Sequence, residues 1–128
     1  MLDTNMCIYP MKHQPPQVAE RFAQCFAGEV VMSAITFAEL SYGVSVCANP
    51  ARERRNLQAL SEDILVAPFD QNAGLAYGPI RFATRDSKKD HLDKLIAAHA
   101  RALDVTLVTN NVRDFAKYPK LRIENWLE

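Results

Sequence analysis

Residues 92–111 read LDKLIAAHARALDVTLVTNN, and this stretch decides the fold class. Its first part predicts a helix over 92–103, because the apolar face recurs at helical spacing in Leu92, Leu95, Ile96, His99 and Leu103. The run VTLV at 105–108 predicts a short buried strand, and Asn110-Asn111 predicts a turn. A helix that leads directly into a short buried strand is typical of α/β proteins with parallel strands.

The same alternation of helices and short apolar runs extends over the rest of the chain. We predict further strands at 29–32, 64–68 and 121–123, with a strand stub at 1–3. We predict further helices at 5–12, from Pro15-Pro16 to Phe26, at 36–47, at 50–62 and after the N-cap Asp70. The expected architecture is α/β, with a central parallel sheet flanked by helices on both faces. The length of 128 residues suits one domain over 1–128.

Composition excludes several classes of protein. Lys+Arg and Asp+Glu are both 15, so the formal net charge is zero and any polyanion must be held by a local basic patch. The three cysteines lack the spacing of a zinc site, and the chain has no glycine-rich phosphate-binding loop. No apolar stretch approaches the roughly 18 residues of a membrane span, and no secretory signal core is present at the start. We therefore expect a cytoplasmic protein with no membrane contact.

Acidic residues stand near the predicted strand ends, where a ligand would bind. Asp3 ends the first stub, and Glu39 lies in the first turn of the helix after the second strand. Asp93 opens the helix that leads into VTLV, and Asp114 follows that strand. Ligands of open α/β sheets bind beyond the carboxyl ends of the strands, so we expect these carboxylates to converge. Because clustered carboxylates repel each other and Mg²⁺ or Mn²⁺ removes that repulsion, the pattern predicts a metal-dependent phosphodiester or phosphate enzyme.

Helix capping is a simpler explanation for three of these acids taken singly. Three motifs have the spacing of a capping box, in which an acid at the third helical position bonds back to the N-cap: Thr36-x-x-Glu39, Asp90-x-x-Asp93 and Asn111-x-x-Asp114. Asp3 has no such explanation, because it follows an apolar stub and has little to cap. The expected convergence of all four acids, rather than any one of them, favours a catalytic site.

Polar residues outside the acid set have open interpretations. Thr109 and Asn110 can support the site by hydrogen bonds or form an ordinary turn. His99 lies on the apolar stripe of its helix, which favours a core or interface histidine over a catalytic base. Segment 81–94 contains basic residues that can contact phosphates: Arg81, Arg85, Lys88, Lys89 and Lys94. It also contains three acids, so a solvated loop is the simpler interpretation, and substrate-binding residues stay unassigned.

Five segments of the chain resemble the PIN-domain toxins of the VapC type, in the same order: MLDTNMCIY (1–9), SAITFAELSYGV (33–44), LDKLIAAHARAL (92–103), VTLVTNNVRDF (105–115) and RIENWLE (122–128). The resemblance covers essentially the whole chain. It implies a single PIN-like domain, built on a parallel sheet flanked by helices, and metal-dependent cleavage of RNA.

The resemblance also implies site residues and partners. It places the acids of the family on Asp3, Glu39, Asp93 and, for the variable fourth position, Asp114. Asn5 matches a polar residue that supports the site in the family. The implied substrate is structured RNA, often tRNA, and the implied partners are a cognate VapB-like antitoxin and a second copy of the chain in a homodimer.

We therefore hypothesise a toxin-type endoribonuclease in which Mg²⁺ or Mn²⁺ activates a water for in-line attack, leaving 5′-phosphate and 3′-hydroxyl ends. One alternative is an acid-cluster phosphohydrolase, although Asp3-Thr4-Asn5 lacks the second acid that a haloacid-dehalogenase-type site needs. Another alternative is a catalytically idle protein-binding module, which the full acid set disfavours. Ile8, Tyr9 and Phe22 could line a groove for a partner or pack in the core.

Overall fold

The computed structural model describes residues 1–11, 16–26 and 28–127. Its elements are, in chain order, α1 (Thr4–Met11), α2 (Pro16–Ala23), β1 (Val31–Ser33), α3 (Ala34–Val46), α4 (Pro50–Asp63), β2 (Leu65–Ala67), α5 (Gln71–Ala83), α6 (His91–Leu103), β3 (Leu107–Val108), α7 (Val112–Phe115) and β4 (Ile123–Glu124). Lys12 and Pro15, which were predicted to lie at helix ends, fall outside the described residues. Within the described ranges, no helix combines the length and the apolar character that crossing a bilayer requires.

The strands pair in parallel around a central position held by Leu2. β1 pairs with β2, and β3 pairs with β4. Leu2 forms parallel bridges to Met32 of β1 and to Val108 of β3, which places it between the two pairs. The Leu2 N–H donates to the Val31 carbonyl at 2.9 Å, and the Val108 N–H donates to the Met1 carbonyl at 2.7 Å. The α/β class with parallel pairing is confirmed, whereas the predicted continuous sheet is present as two two-stranded pieces that Leu2 connects.

Alternate residues along the strands enter two different apolar clusters. Leu2, Met32 and Val108 belong to one cluster, together with buried side chains of α1, α2, α3 and α4. Met1 and Leu107 belong to the other, together with buried side chains of α5, α6 and α7. This alternation follows the two-residue period of a strand, so each short strand contributes to the packing of both sets of helices.

Helix α3 begins earlier than the sequence pattern predicted. The Ser33 side chain caps it, because its Oγ accepts a hydrogen bond from the Ile35 N–H at 3.0 Å. The predicted start at Thr36 is therefore wrong, and Glu39 lies in the second helical turn rather than the first. The capping-box explanation for Glu39 fails with it, since an acid in the second turn cannot reach the N-cap.

Two local predictions are confirmed. Asp70 caps α5, accepting a hydrogen bond from the Ala73 N–H at 3.0 Å. Cys7, Cys25 and Cys47 are free thiols, as their odd number and spacing predicted.

Candidate functional site

Asp3 directly follows the central strand position and is almost fully buried, with 4% of its surface exposed. Its backbone N–H donates to the Val108 carbonyl at 3.0 Å, and its Oδ1 accepts a hydrogen bond from the Met6 N–H at 2.9 Å. Asp3 therefore caps α1, and the prediction that it has little to cap is wrong, because α1 begins at Thr4. A carboxylate has two oxygens with several acceptor positions, so this capping bond still leaves capacity for a ligand.

Glu39 is half-buried on α3 and is oriented by a threonine next to Asp3. The Thr4 hydroxyl donates to Glu39 Oε1 at 2.8 Å and lies 3.5 Å from the Thr36 hydroxyl. Thr4 thus connects the start of α1 to the acid on α3. Sequence reasoning did not single out Thr4, because a hydroxyl in the first turn of a helix gives no signal of the distant residue that it contacts.

Asp93 is the third residue of α6 and is half-buried. Asp90 is the N-cap residue, as the spacing predicted, but its side chain makes no capping hydrogen bond. The Asp90 carboxylate instead accepts a hydrogen bond from the Tyr118 hydroxyl at 2.9 Å and pairs with Lys117 and with Lys94 Nζ, the latter at 3.4 Å. The predicted capping box is therefore incomplete at Asp90-x-x-Asp93.

Asp114 is exposed on the short helix α7, where the spacing Asn111-x-x-Asp114 placed it in a first helical turn. Its Oδ2 accepts a hydrogen bond from Asn111 Nδ2 at 2.8 Å. Asn111 is the N-cap residue of α7 but makes no side-chain capping bond, so its amide orients the acid instead.

Two of the four acids, Asp93 and Asp3, have a raised pKa, and neighbouring acids contribute to it. The pKa of Asp93 is raised to about 6, first by burial and then by the negative charges of Glu39, Asp90, Asp3 and Asp114. The pKa of Asp3 is raised by burial and, more weakly, by Glu39, while hydrogen bonds from Thr109 and the Met6 N–H partly offset this increase. Asp93 therefore lies within electrostatic range of Glu39, Asp3 and Asp114, and it shares a cleft with Glu39.

The acids lie near one another, but their side chains do not surround one common metal position in the part of the chain that the structure describes. Among the residues that the structure describes, no group of three His, Cys, Asp or Glu side chains has the geometry of a ready-made metal site. The four carboxylates nevertheless fit one class of cation, because carboxylate oxygens are the ligands that Mg²⁺ and Mn²⁺ prefer.

The predicted supporting residues have different surroundings. Thr109 is fully buried, and its Oγ1 accepts a hydrogen bond from the Asn111 N–H at 2.9 Å beside Asp3. Asn110 donates from Nδ2 to the Tyr9 hydroxyl at 3.0 Å, which connects the turn to α1. Asn5 is exposed and makes no hydrogen bond to the acids in the described structure, so its supporting role stays a prediction.

His99 lies in the core, as its position on the apolar stripe predicted. Its Nδ1 is 2.7 Å from Ser33 Oγ, and its ring packs edge-on against Phe69. Burial lowers its pKa, which favours the neutral imidazole. Because the Ser33 hydroxyl also caps α3, His99 supports the helix that carries Glu39.

Residues 1–121 match the PIN domain family. The tRNA(fMet)-specific endonuclease VapC of Salmonella typhimurium is 34% identical over 128 residues, which cover 98% of this chain and 96% of that protein. Ribonuclease VapC2 of Haemophilus influenzae is 36% identical over 131 residues, covering 99% and 97%. The chain belongs to the VapC ribonucleases of the PIN-domain family. The recognition made from the five sequence segments is therefore confirmed.

A solved structure supports the same assignment to the VapC ribonucleases. The crystal structure of VapBC2 from Rickettsia felis, bound to a DNA fragment from its promoter, contains a chain that is 31% identical to this one. The two chains superpose with a TM-score of 0.90 over 98% of this chain and 97% of the other. This VapC chain therefore has the fold of its relatives over nearly its full length.

Proposed function

We propose that this VapC chain is the toxin of a toxin–antitoxin pair and that it cleaves structured RNA, with tRNA as the substrate class. The observation that carries the proposal is the proximity of Asp93 to Glu39, with which it shares a cleft, and to Asp3 and Asp114, so that acids from four separate segments lie near one another. The name of the Salmonella relative, a tRNA(fMet)-specific endonuclease, supports tRNA as the substrate, and this substrate implies a cytoplasmic location. The Rickettsia structure, a VapBC2 complex, supports a cognate VapB-type antitoxin as the partner.

In this proposal, residues 1–128 form one domain whose strands act as a single sheet in the order β2–β1–Leu2–β3–β4. The bridges of Leu2 to β1 and β3 support this order. The division of alternate strand residues between two clusters supports helices on both faces of the sheet. With all strands parallel, their carboxyl ends meet along one edge, where a ligand of an α/β sheet is bound.

Asp3, Glu39, Asp93 and Asp114 would hold one or two Mg²⁺ or Mn²⁺ ions. When bound, such a cation supplies a Lewis acid that stabilises the charge developing on the scissile phosphate. The other residues of the site fix the carboxylates: Thr4 orients Glu39, the Met6 N–H and Thr109 orient Asp3, and Asn111 orients Asp114.

This chain has a surface beside these acids that suits the binding of the antitoxin. A groove of about 460 Å³ lies between α1, α3 and α4. Its apolar lining consists of Ile8, Leu40, Gly43, Val44, Cys47 and Ala48, and its polar lining consists of Thr4, Glu39, Asn49, Arg52 and Glu53. Thr4 and Glu39 belong both to this groove and to the acid site. A segment of the antitoxin bound there would therefore contact the site directly. Ile8, Tyr9 and Phe22 all pack against the core, and Ile8 also lines the groove.

A second exposed surface suits the proposed homodimer. Ile35, Ala38, Tyr42 and Leu92 surround a shallow apolar cavity of about 480 Å³ at the edge of Glu39. Tyr42 is 70% exposed and Leu92 is 48% exposed, so the surface leaves a patch of apolar side chains uncovered. A dimer formed through this surface would place the two acid sites near the subunit boundary.

The proposed function is tested with the full chain, purified free of antitoxin, and a mixed tRNA pool. We expect discrete fragments with 5′-phosphate ends in Mg²⁺ or Mn²⁺ and no cleavage in EDTA. Asp3→Asn should lose cleavage although it stays folded, because asparagine can still accept the capping bond from the Met6 N–H. Glu20→Gln, a change on exposed α2, should cleave like the unaltered protein. Fragments that persist in Asp3→Asn would contradict the assignment of the site.

Thr4 is expected to act as a positioning residue for Glu39. Thr4→Val keeps the shape of the side chain but removes the hydroxyl that holds Glu39 Oε1. Loss of a hydrogen bond that orients a metal ligand lowers activity by about 10- to 100-fold, so we expect a fall of about tenfold in kcat. We expect the KM for RNA to change less than about twofold, because Thr4 does not contact the substrate in this proposal.

Thr4→Ser is the matched control. It restores the hydroxyl and should recover most of the kcat, and it should recover the Mg²⁺ concentration that gives half-maximal rate. An equal loss in Thr4→Val and Thr4→Ser would show that Thr4 acts through packing alone.

A further inference from the structure

A second cleft adjoins the acid site on the side of the loop before α6. It has a volume of about 340 Å³. Its lining contains three acids, Glu39, Asp90 and Asp93, and two lysines, Lys88 and Lys89, together with His91 and Leu92. Two of the proposed metal-binding carboxylates, Glu39 and Asp93, thus share one cleft with two lysines. The sequence left two interpretations of segment 81–94 open, a phosphate contact or a solvated loop. Of its basic residues, Lys88 and Lys89 line this cleft, whereas Arg81, Arg85 and Lys94 do not.

Most basic side chains of this segment already contact other protein groups. Lys94 is 1% exposed, and its Nζ donates to the Thr84 carbonyl at 3.0 Å and to the Ser87 carbonyl at 2.5 Å. Arg81 lies over the ring of Tyr77, and Arg85 lies over the ring of Phe82. Lys94 therefore serves the packing of α6 and the loop before it, whereas Arg81 and Arg85 are exposed and do not line the cleft.

Lys88 and Lys89 differ from the other cations of the segment. Both are exposed, and in the part of the chain that the structure describes neither has an ion-pair or hydrogen-bond partner. They are the cations of the segment that face the cleft with their ammonium groups available. The neutral total charge of the chain makes such a local group necessary for holding any polyanion.

The loop that carries the two lysines is held at both ends. At its start, Lys94 Nζ donates to the carbonyls of Thr84 and Ser87, and the Ser87 N–H donates to the Thr84 carbonyl at 3.0 Å. At the other end, Asp90 accepts the hydrogen bond from the Tyr118 hydroxyl. A loop fixed in this way loses little backbone entropy when it binds a ligand, so it favours binding by preorganisation.

We propose that Lys88 and Lys89 form a subsite for the RNA backbone, holding a phosphate next to the one that is cleaved. The inference rests on the proposed ribonuclease function and names the part of the chain that binds its substrate. Carboxylates that hold the cation at the scissile phosphate repel the neighbouring phosphates, and two ammonium groups in the same cleft offset that repulsion. Lysine contacts a phosphate as a point charge and reads no base, so the subsite contributes affinity rather than sequence preference.

The test compares two charge-matched double variants. Lys88→Gln/Lys89→Gln removes the subsite, and Arg54→Gln/Arg55→Gln removes two exposed cations from α4 that line neither the groove nor the cleft. Both are made in the full chain with Asp3→Asn, so that labelled tRNA is bound in Mg²⁺ without cleavage. We expect the subsite variant to weaken tRNA binding by about tenfold at 0.15 M salt, and to lower the slope of log K against log[salt] by about 1 to 2. The control should bind like its parent.

In the cleavage-competent chain, the same lysine changes should raise KM while kcat stays within about twofold, and Lys88→Arg/Lys89→Arg should recover KM. Two results would overturn the subsite: tRNA binding no weaker than in the Arg54/Arg55 control, or a changed Mg²⁺ requirement with unchanged KM. If the lysine substitutions weaken tRNA binding but the unaltered chain cleaves no RNA, the subsite stands and the proposed ribonuclease function is contradicted. If the unaltered chain cleaves RNA and the lysine substitutions change neither tRNA binding nor KM, the ribonuclease function stands and the subsite is contradicted.

Discussion

Asp93→Asn is expected to abolish RNA cleavage and, at the same time, to stabilise the protein in EDTA. The carboxylate lies half-buried near four other acids, so its negative charge is unfavourable in the folded state without a cation. The same charge is what a bound cation requires. Loss of one such group in a preorganised site typically costs about 100- to 1,000-fold in rate, and we expect at least this loss in kcat.

The stabilisation should depend on pH in a defined direction. The pKa of Asp93 is raised to about 6 by burial and by its acidic neighbours, so the folded protein holds this proton more tightly than the unfolded chain, whose aspartates titrate near pH 4. The resulting stability is fully present below about pH 4 and is lost as the pH rises to about 6. Because Asp93 is partly exposed, solvent screens the effect, and we expect Asp93→Asn to gain about 1 kcal/mol at pH 7 and nothing at pH 4.

Thermal unfolding from pH 4 to pH 8 in EDTA measures this difference, and repeating it in Mg²⁺ tests its cause. The cation should raise the midpoint of the unaltered protein and leave that of Asp93→Asn nearly unchanged. A variant that is less stable than the unaltered protein at pH 7 in EDTA would show that Asp93 stabilises α6 more than it is repelled by the other acids.

The largest effect on stability is expected for Lys94→Met. Lys94 is buried, pairs with Asp90, and donates to the carbonyls of Thr84 and Ser87. Methionine fills a similar volume but leaves both carbonyls without this donor and removes one cation from Asp90. Breaking a buried charged network in this way costs about 3 kcal/mol in the free energy of unfolding.

Lys117→Met is the matched control, because Lys117 pairs with the same carboxylate from a partly exposed position. It should cost less than about 1 kcal/mol, as exposed ion pairs do. Hydrogen bonds from Lys117 and Tyr118 hold the pKa of Asp90 below its ordinary value despite the opposing effect of burial. Chemical denaturation measures the free energy of unfolding of both variants. If Lys94→Met and Lys117→Met lose the same amount, the buried position of Lys94 gives its contacts no special importance for stability.

The sequence predicted the types of the elements better than their ends. Helix α6 occupies 91–103 where 92–103 was predicted, because the apolar stripe defines it through contacts that recur every turn. The start of α3 was misplaced because Ser33 and Thr36 are equally good caps in the sequence, and only the packing of β1 selects Ser33. Strand ends were misplaced because a strand extends only as far as its partner, which the sequence of one strand does not contain.

In the candidate site, too, some features could be predicted from the sequence and others depend on contacts between distant residues. The four candidate acids could be selected from the sequence because each stands close to a short apolar run that predicts a strand, and the resemblance to PIN-domain toxins selects the same residues. The role of Thr4 depends on α3 standing opposite α1, and the role of Lys94 depends on two carbonyls of a loop that precedes it. A lysine beside an apolar stripe normally indicates a solvated helix edge, so its burial could not be predicted locally.

The central place of Leu2 also has a consequence for how the chain folds. Leu2 pairs with Met32 and with Val108, so one residue joins three segments that are far apart in the sequence. Contacts of this kind form late in folding, because closing the long loops between the segments costs conformational entropy. The N–H of the neighbouring Asp3 donates to the Val108 carbonyl, so the backbone of Asp3 depends on the same long-range contact. We therefore expect the surroundings of Asp3 to become ordered only when β3 has joined the sheet.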